Sequence, residues 1–381
     1  MNLSLSDEQV FLREAARGAL SRFKTFEAAR EALDGDESAL PDLWPVACEA
    51  GWPGLLISEE HDGAGLDVFD AMLVLGECGR VLASVELLGH LPATAILGDA
   101  PAAAELLPGL ASGEQRAAYL PARPPDDVEG SWSADPAHGL ERAALASAGA
   151  TDADGRVRLN GSVAFVPDAP GAQVLVGVAL QDGRPIGVAI QAEDPGVTVE
   201  SVTRYDSTRS LGHVTLKDAP ATVLDAPEES LAGAWHLAQA LIAAESIGSV
   251  ETALDVSVSY AKERFTFGRA IGSYQAIKHS LTEVLRQLEN GRSLLYYAGW
   301  ARMGAPAEFP LAANAARSVA SRALDQAART MISVHGGTGA TWEHDAPLYF
   351  RRAELSRRLL GGASDATDRV AGELLTQASA A

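Results

Sequence analysis

Tyr260–Leu281 reads YAKERFTFGRAIGSYQAIKHSL and lies between two segments whose apolar residues recur at helical spacing. Before it, Ile247, Val250, Leu254, Val258 and Ala261 step by 3, 4, 4 and 3; after it, Ile277, Leu281, Val284 and Leu288 step by 4, 3 and 4. Such stripes predict two helices packed as antiparallel neighbours of a bundle. The connection itself is crowded: Arg264, Phe265, Thr266, Phe267 and Gly268 follow one another. It reads either as a helix junction or as one half of a site. Arg264 taken alone is equally a cation at a helix C-terminus, favoured there by the macrodipole.

Working outward, the Ala-rich segment 311–334 predicts a third helix, ending at His335-Gly336-Gly337. The glycine pair reads as a plain C-cap on its own. A fourth helix is expected over about 345–360, and the tail after Gly362 is expected to form a short fifth. Upstream, residues 116–225 change character. Alternating segments flank Asn160-Gly161 and Asp182-Gly183, dipeptides that favour the positive φ of hairpin turns. VTVESV and GHVTLKDA predict two further strands, and ARPPDDVEGSWSADP leads into the zone.

Residues 1–115 read as helices again. Ser6 and Gln9 have capping-box spacing, and LWPVACEAGWPGLL and VFDAMLVLGECGRVLA continue as broken helical segments. The loop EEHDGAGLD lacks the glycine spacing of a phosphate cradle. The expected fold is therefore α+β in three parts: an N-terminal helical domain (1–115), a central β domain built as a small barrel or sandwich (116–225), and a C-terminal antiparallel four-helix bundle (226–381). No βαβ rhythm appears, which argues against a Rossmann dinucleotide site.

Composition narrows the function. The formal net charge is −21, which disfavours nucleic acid and anionic membrane surfaces as partners. Cys48 and Cys78 fit neither a disulfide framework nor a zinc site and are expected to be reduced, buried thiols. The N-terminus lacks the basic start and unbroken apolar run of a signal peptide, and no stretch of about 20 apolar residues would span a bilayer. A soluble, cytoplasmic protein is expected.

Three motifs, YAKERFTFGRAIGSYQAIKH (260–279), VHGGTGATWEHDAPLYFRRA (334–353) and GWPGLLISEEHDGAGL (51–66), together with the order of the three parts, resemble the acyl-CoA dehydrogenase superfamily over essentially the whole chain. The resemblance implies an FAD flavoprotein that desaturates the α,β bond of an acyl-CoA thioester. A carboxylate takes the α-proton and the flavin accepts the β-hydride. It further implies that the first two motifs reach across a subunit interface to an FAD held by the neighbour. Arg264 matches the arginine on the FAD pyrophosphate, where a planar fork suits the anion. Phe267 matches an aromatic near the adenosine part, Thr266 and Gln275 lie in the same polar run, and Gly336 and Gly337 match glycines that let backbone approach the cofactor. Ser333 stands where the family often has a flavin-binding Gln.

The elements that would serve the chain's own flavin depart from the family pattern. Phe165-Val166-Pro167 replaces a Trp-Ile-Thr segment, and Pro167 has neither hydroxyl nor N–H to offer. No counterpart of a preceding Thr-Glu-Pro segment appears around Tyr119–Asp135. The two positions at which the family places its base hold Leu360 and Ala238, so no catalytic residue is assigned. Glu245, two turns beyond Ala238 and about 10 Å along the helix, is a weak candidate for a relocated base against a salt-bridged carboxylate.

This pattern resembles the base-lacking chains of actinobacterial α2β2 acyl-CoA dehydrogenases, which act on bulky substrates such as CoA thioesters of steroid side chains. The expected partner is a homologous subunit, or a second copy of this chain. The alternatives are a self-sufficient dehydrogenase, a flavin monooxygenase-like relative and a cofactor-free scaffold. Arg351 and Arg352 are expected at an interface or in helix packing, and Arg357 and Arg358 on a solvated face. His335 reads as a helix-end packing residue, and Tyr205-Asp206-Ser207-Thr208-Arg209 as a hairpin-end hydrogen-bond network.

Overall fold

In the computed structural model, residues 4–123 and 145–380 are described. The search for a Thr-Glu-Pro counterpart and most of ARPPDDVEGSWSADP fall outside them. Six helices come first: α1 (Asp7–Leu20), α2 (Thr25–Leu33), α3 (Trp44–Glu49), α4 (Val68–Arg80), α5 (Leu87–Gly98) and α6 (Leu107–Ala111). The Ser6 hydroxyl accepts from the Gln9 N–H and the Gln9 side chain accepts from the Ser6 N–H, both at 3.2 Å, which starts α1 as its capping box requires. LWPVACEAGWPGLL is helical only across α3, because Gly51 takes a positive φ of 70° and Pro53 follows.

Seven strands follow: β1 (Ala117–Leu120), β2 (Ala146–Ala148), β3 (Arg156–Pro167), β4 (Val174–Gln181), β5 (Arg184–Gln191), β6 (Val197–Ser201) and β7 (Leu211–Leu224). Pairing runs β4–β2–β3–β7–β5 and back to β4, which closes a small barrel; β1 extends β4 and β6 extends β7. Asp182-Gly183 is the expected hairpin turn, with φ of 50° and 78° and Gln181 paired to Arg184. Asn160-Gly161 is not a turn. It lies inside β3 at a register shift, where Asn160 Oδ1 accepts from the Asp218 N–H at 2.9 Å. A Cβ on Gly161 would stand 2.8 Å from the Ala146 Cα, so glycine is needed here for the close approach of β2.

The C-terminal part holds α7 (Glu228–Glu263), the two-residue strands β8 (Phe265–Thr266) and β9 (Arg269–Ala270), α8 (Gln275–Gly304), α9 (Phe309–His335), α10 (Ala346–Ser356) and α11 (Gly362–Ala380). The expected short tail helix is 19 residues long. Short links make α7, α8 and α9 an up-down-up antiparallel set, with α10 and α11 packed on α9. One apolar core runs from α1 and α4 through Leu241, Val250, Leu288 and Met331 to Leu360. A second joins α5 and α6 to β1, β4 and the start of α7, and a third fills the barrel. Cys78 is buried in the first core, whereas Cys48 is only half-buried, and both thiols are free. Among the described residues, no helix is long and apolar enough to cross a membrane.

Candidate functional site: an exposed edge and a closed cleft

The opening motif forms a shelf at one end of the bundle. Arg264 caps α7, and its N–H bonds the Tyr260 carbonyl at 2.8 Å. The chain then turns back through β8 and β9, with Phe265 opposite Ala270 and Thr266 opposite Arg269. The turn is Phe267-Gly268, with φ of 49° and 77°. Gly268 tolerates this geometry readily and Phe267 does not, yet the Phe267 ring is 95% exposed. The Tyr274 hydroxyl donates to the Thr266 carbonyl at 3.3 Å, the Arg269 guanidinium lies 4.0 Å over the Tyr274 ring, and Gln275 opens α8 beside them.

The second motif is brought to the same shelf by an aromatic stack. The ring of Tyr260 lies 4.2 Å from that of His335, which lies 4.2 Å from that of His344. His335 is buried at the end of α9 and contacts the Met331 carbonyl through Nδ1 at 2.7 Å, which agrees with a helix-end packing residue. Gly336 then leaves the helix at φ 61°, and a Cβ on either Gly336 or Gly337 would meet no protein atom within 4 Å. Ser333 is exposed beside them. Among the described residues, the Arg264 guanidinium takes part in no ion pair. An unpaired guanidinium, an uncovered aromatic ring and bare backbone suit a large anionic cofactor approaching from outside the chain.

The chain's own cleft lies between the barrel and the bundle and has a volume of 830 Å³. Phe165 and Leu360 line it; Ala238 is wholly buried one turn from the lining residue Trp235. The two expected base positions do come together, because the Gln239 amide donates to the Leu360 carbonyl at 3.0 Å. Arg317, fully buried, donates to the neighbouring Leu359 carbonyl at 3.1 Å and to Gln239 Oε1 at 3.1 Å. Burial lowers this guanidinium to about 10. The Leu359–Gly361 turn is thereby held rigidly, with Leu360 at φ 50°.

Other groups pack against the Phe165 ring in the cleft. The Arg204 guanidinium lies 4.2 Å over the Phe165 ring, and His213 packs edge-on at 4.9 Å. Pro167 supplies no donor. Asp168, which follows it at φ 60°, is buried and accepts from the Gly89 N–H at 2.7 Å. Burial pushes its carboxyl up to about 7. The residues present therefore fit an FAD on the outer edge and do not fit one stacked on Phe165 in the cleft.

Glu245 is not a relocated base. Its carboxylate is buried between Arg209 and Arg352, the latter at 2.7 Å. Arg352, only 1% exposed, also donates to Asp206 at 2.8 Å and to the Thr208 carbonyl at 2.8 Å. Burial opposes charge on Asp206, but Arg352 and Thr208 hold its carboxyl below the usual range. The Tyr205–Arg209 segment is the hairpin end between β6 and β7, with the Thr208 N–H donating to Asp206 at 3.0 Å as a hydrogen-bond network there requires, and its buried Asp206 and Thr208 also make it an ionic joint between barrel and bundle. Arg351 donates to the Tyr205 carbonyl at 2.6 Å. Arg357 and Arg358 are exposed in part and paired with Glu354 at 3.2 and 2.7 Å. The clamps Gln239 and Arg317 and the Arg204 stack were not anticipated. The one available signal was an arginine and a glutamine on otherwise apolar helix faces.

Comparison with known proteins agrees with this geometry. The chain matches the acyl-CoA dehydrogenase N-terminal domain over residues 6–122 and the C-terminal domain over residues 233–374. It is 30% identical to the acyl-CoA dehydrogenase IpdE2 of Mycobacterium tuberculosis, covering 97% of this chain and 98% of that one. The solved Tcur3481-Tcur3483 steroid ACAD G363A variant superposes with a TM-score of 0.85 at 29% identity, covering 99% and 100% of the two chains. The ChsE4-ChsE5 complex from Mycobacterium tuberculosis superposes at 0.84 and 25% identity, covering 98% and 99%. The chain belongs to the acyl-CoA dehydrogenase family, whose members are FAD-dependent flavoprotein oxidoreductases.

Proposed function

We propose that this chain is the partner subunit of a heteromeric acyl-CoA dehydrogenase, assembled as α2β2 with a homologous chain that carries the base. The observation that carries the reading is Leu360: an apolar side chain at the family's base position, in a turn clamped by Gln239 and Arg317. Among the described residues, the only carboxylate lining the cleft is Glu354. It is already engaged by Arg329, Arg357 and Arg358, so the described residues of the cleft offer a self-sufficient enzyme no free base.

When bound, FAD supplies the hydride acceptor for α,β-desaturation of an acyl-CoA thioester. This chain's residues hold and cover it from outside. Arg264 offers a planar guanidinium to the pyrophosphate, Phe267 covers the adenosine end, and Thr266, Gln275 and Ser333 supply hydroxyl and amide groups along the same shelf. Gly336 and Gly337 admit close backbone approach. The Tyr260–His335–His344 stack keeps the two motifs in register. Both solved relatives reported above carry paired subunit names, and one is called a steroid ACAD. This supports a bulky, ring-bearing acyl-CoA as the substrate class.

Co-expression with a base-bearing homologue tests the reading. The pair is expected to co-purify and to reduce a dye in the presence of acyl-CoA, with neither chain active alone. A yellow homo-oligomer of this chain that oxidises acyl-CoA by itself would contradict it.

A further inference from the structure

The cleft left without base or flavin stacking is not collapsed. It retains 830 Å³, within the range of about 300–1,000 Å³ of small-molecule pockets. Its walls are apolar: Phe165 and Val163 from β3, Trp235 from α7, and Leu355 and Leu360 from α10 and the turn after it. Its charge is opposite to that of the molecule. The chain carries a formal −21, yet among the described residues the lining holds four arginines and a single glutamate. Three of those arginines are neutralised locally, Arg123 by Asp365 at 2.8 Å and Arg357 and Arg358 by Glu354.

Arg204 is the exception. Among the described residues it takes part in no ion pair and no hydrogen bond; it lies over the face of Phe165 at 4.2 Å, close enough to His213 to disfavour a charge on that imidazole. A guanidinium stacked on an aromatic ring keeps its N–H edge free, and that edge matches a carboxylate with two parallel hydrogen bonds. The same stacking removes the ring face that a flavin would need. Apolar walls with one uncompensated, pre-oriented fork describe a site for an apolar acid.

We infer that this cleft binds a hydrophobic carboxylic acid, with its carboxylate on Arg204 and its apolar body against Trp235, Leu355 and Leu360, and without chemical turnover. The inference rests on the reading above only in that the cleft holds no flavin, and the flavin content of the same samples separates the two. An FAD bound in the cleft would overturn both, whereas a flavin-free chain that binds no acid would overturn this inference alone.

The test is a fluorescence titration of the full chain, alone and in its complex, with 1-pyrenebutyrate, and with the matching alcohol and coenzyme A as comparisons. Saturable binding at one per chain is expected, at least tenfold tighter for the acid than for the alcohol. Arg204→Ala should weaken the acid about 10- to 100-fold, the range for a charged hydrogen bond, and leave the alcohol unchanged. Arg204→Lys should weaken it less. Ala363→Trp, placed on the cleft wall away from the ionic joint, should block it with circular dichroism unchanged. Equal binding of acid and alcohol, no effect of Arg204→Ala, or displacement by coenzyme A more tightly than the acid binds would each overturn the carboxylate assignment, as would the absence of saturable binding.

Discussion

At the 264–275 edge a guanidinium and two phenyl rings stand in solvent, while fewer than a hundred residues later in the chain Arg317 and Arg352 are wrapped in oxygen acceptors. Both regions are rich in arginine, and they obey opposite rules. A buried guanidinium is tolerated only where paired and fully hydrogen-bonded, and Arg352 meets two carboxylates and the carbonyl and hydroxyl of Thr208. An exposed phenyl ring forgoes roughly 1.5–3 kcal/mol of burial, and Phe267 does so at a positive φ. The first arrangement is explained by this chain alone. The second is what the proposed cover by a partner subunit would account for. The contrast sets a scaffold apart from the proposed interface on physical grounds alone.

Changes on the two sides should therefore differ in kind. The largest effect is expected on the scaffold. Arg352→Ala strips Asp206 of its ion-pair partner and leaves Glu245 to Arg209 alone, and should cost about 3–5 kcal/mol, read from denaturant midpoints. A loss below about 1 kcal/mol would mean that the joint does not hold barrel to bundle. Next comes Asp168, beside the proline that replaces a flavin-contacting residue. Its carboxyl is raised by burial to about 7, so the folded state binds a proton that the unfolded chain has released above about pH 4. Stability contributed by this group should be fullest below that pH and fall as the pH rises to about 7, by on the order of 3–4 kcal/mol. Asp168→Asn should flatten that slope in a series of thermal melts.

The interface side should respond through ligand and not through folding. Arg264→Ala is expected to weaken FAD retention in the assembled complex about 10- to 100-fold, with stability of the isolated chain within about 0.5 kcal/mol of the parent. Equilibrium dialysis of the complex checks it; unchanged flavin affinity would turn the shelf into a simple helix junction. The smallest expected effect is none. Leu360→Glu alone should confer no acyl-CoA oxidation, because Pro167 still lacks a donor and Arg204 still covers Phe165. Turnover by that variant without a partner would break the comparison.

Much of the frame was legible because local periodicity dictates it. The stripes around Tyr260–Leu281, the Ser6–Gln9 box and the Asp182-Gly183 hairpin each depend on residues a few positions apart. Asn160-Gly161 misled because the same dipeptide serves a bulge when the asparagine bonds the opposite strand. The ionic joint could not be read at all: Asp206, Glu245 and Arg352 lie far apart in the chain and meet only after folding. The same holds for Arg204, in the link between β6 and β7, whose partner Phe165 sits far earlier in the chain on β3. At the candidate site the motif at the shelf was visible as composition, and the substitutions at Leu360, Ala238 and Pro167 were visible against a resemblance. What lines the open cleft emerges only from the folded arrangement.

The most direct test is the amount of FAD per chain, measured by flavin absorbance against protein mass, for this chain alone and for its complex with a base-bearing homologue. One FAD for every two chains of the complex is expected, and none retained by this chain alone. One FAD per chain, or a stable flavin on the isolated chain, would contradict the partner role.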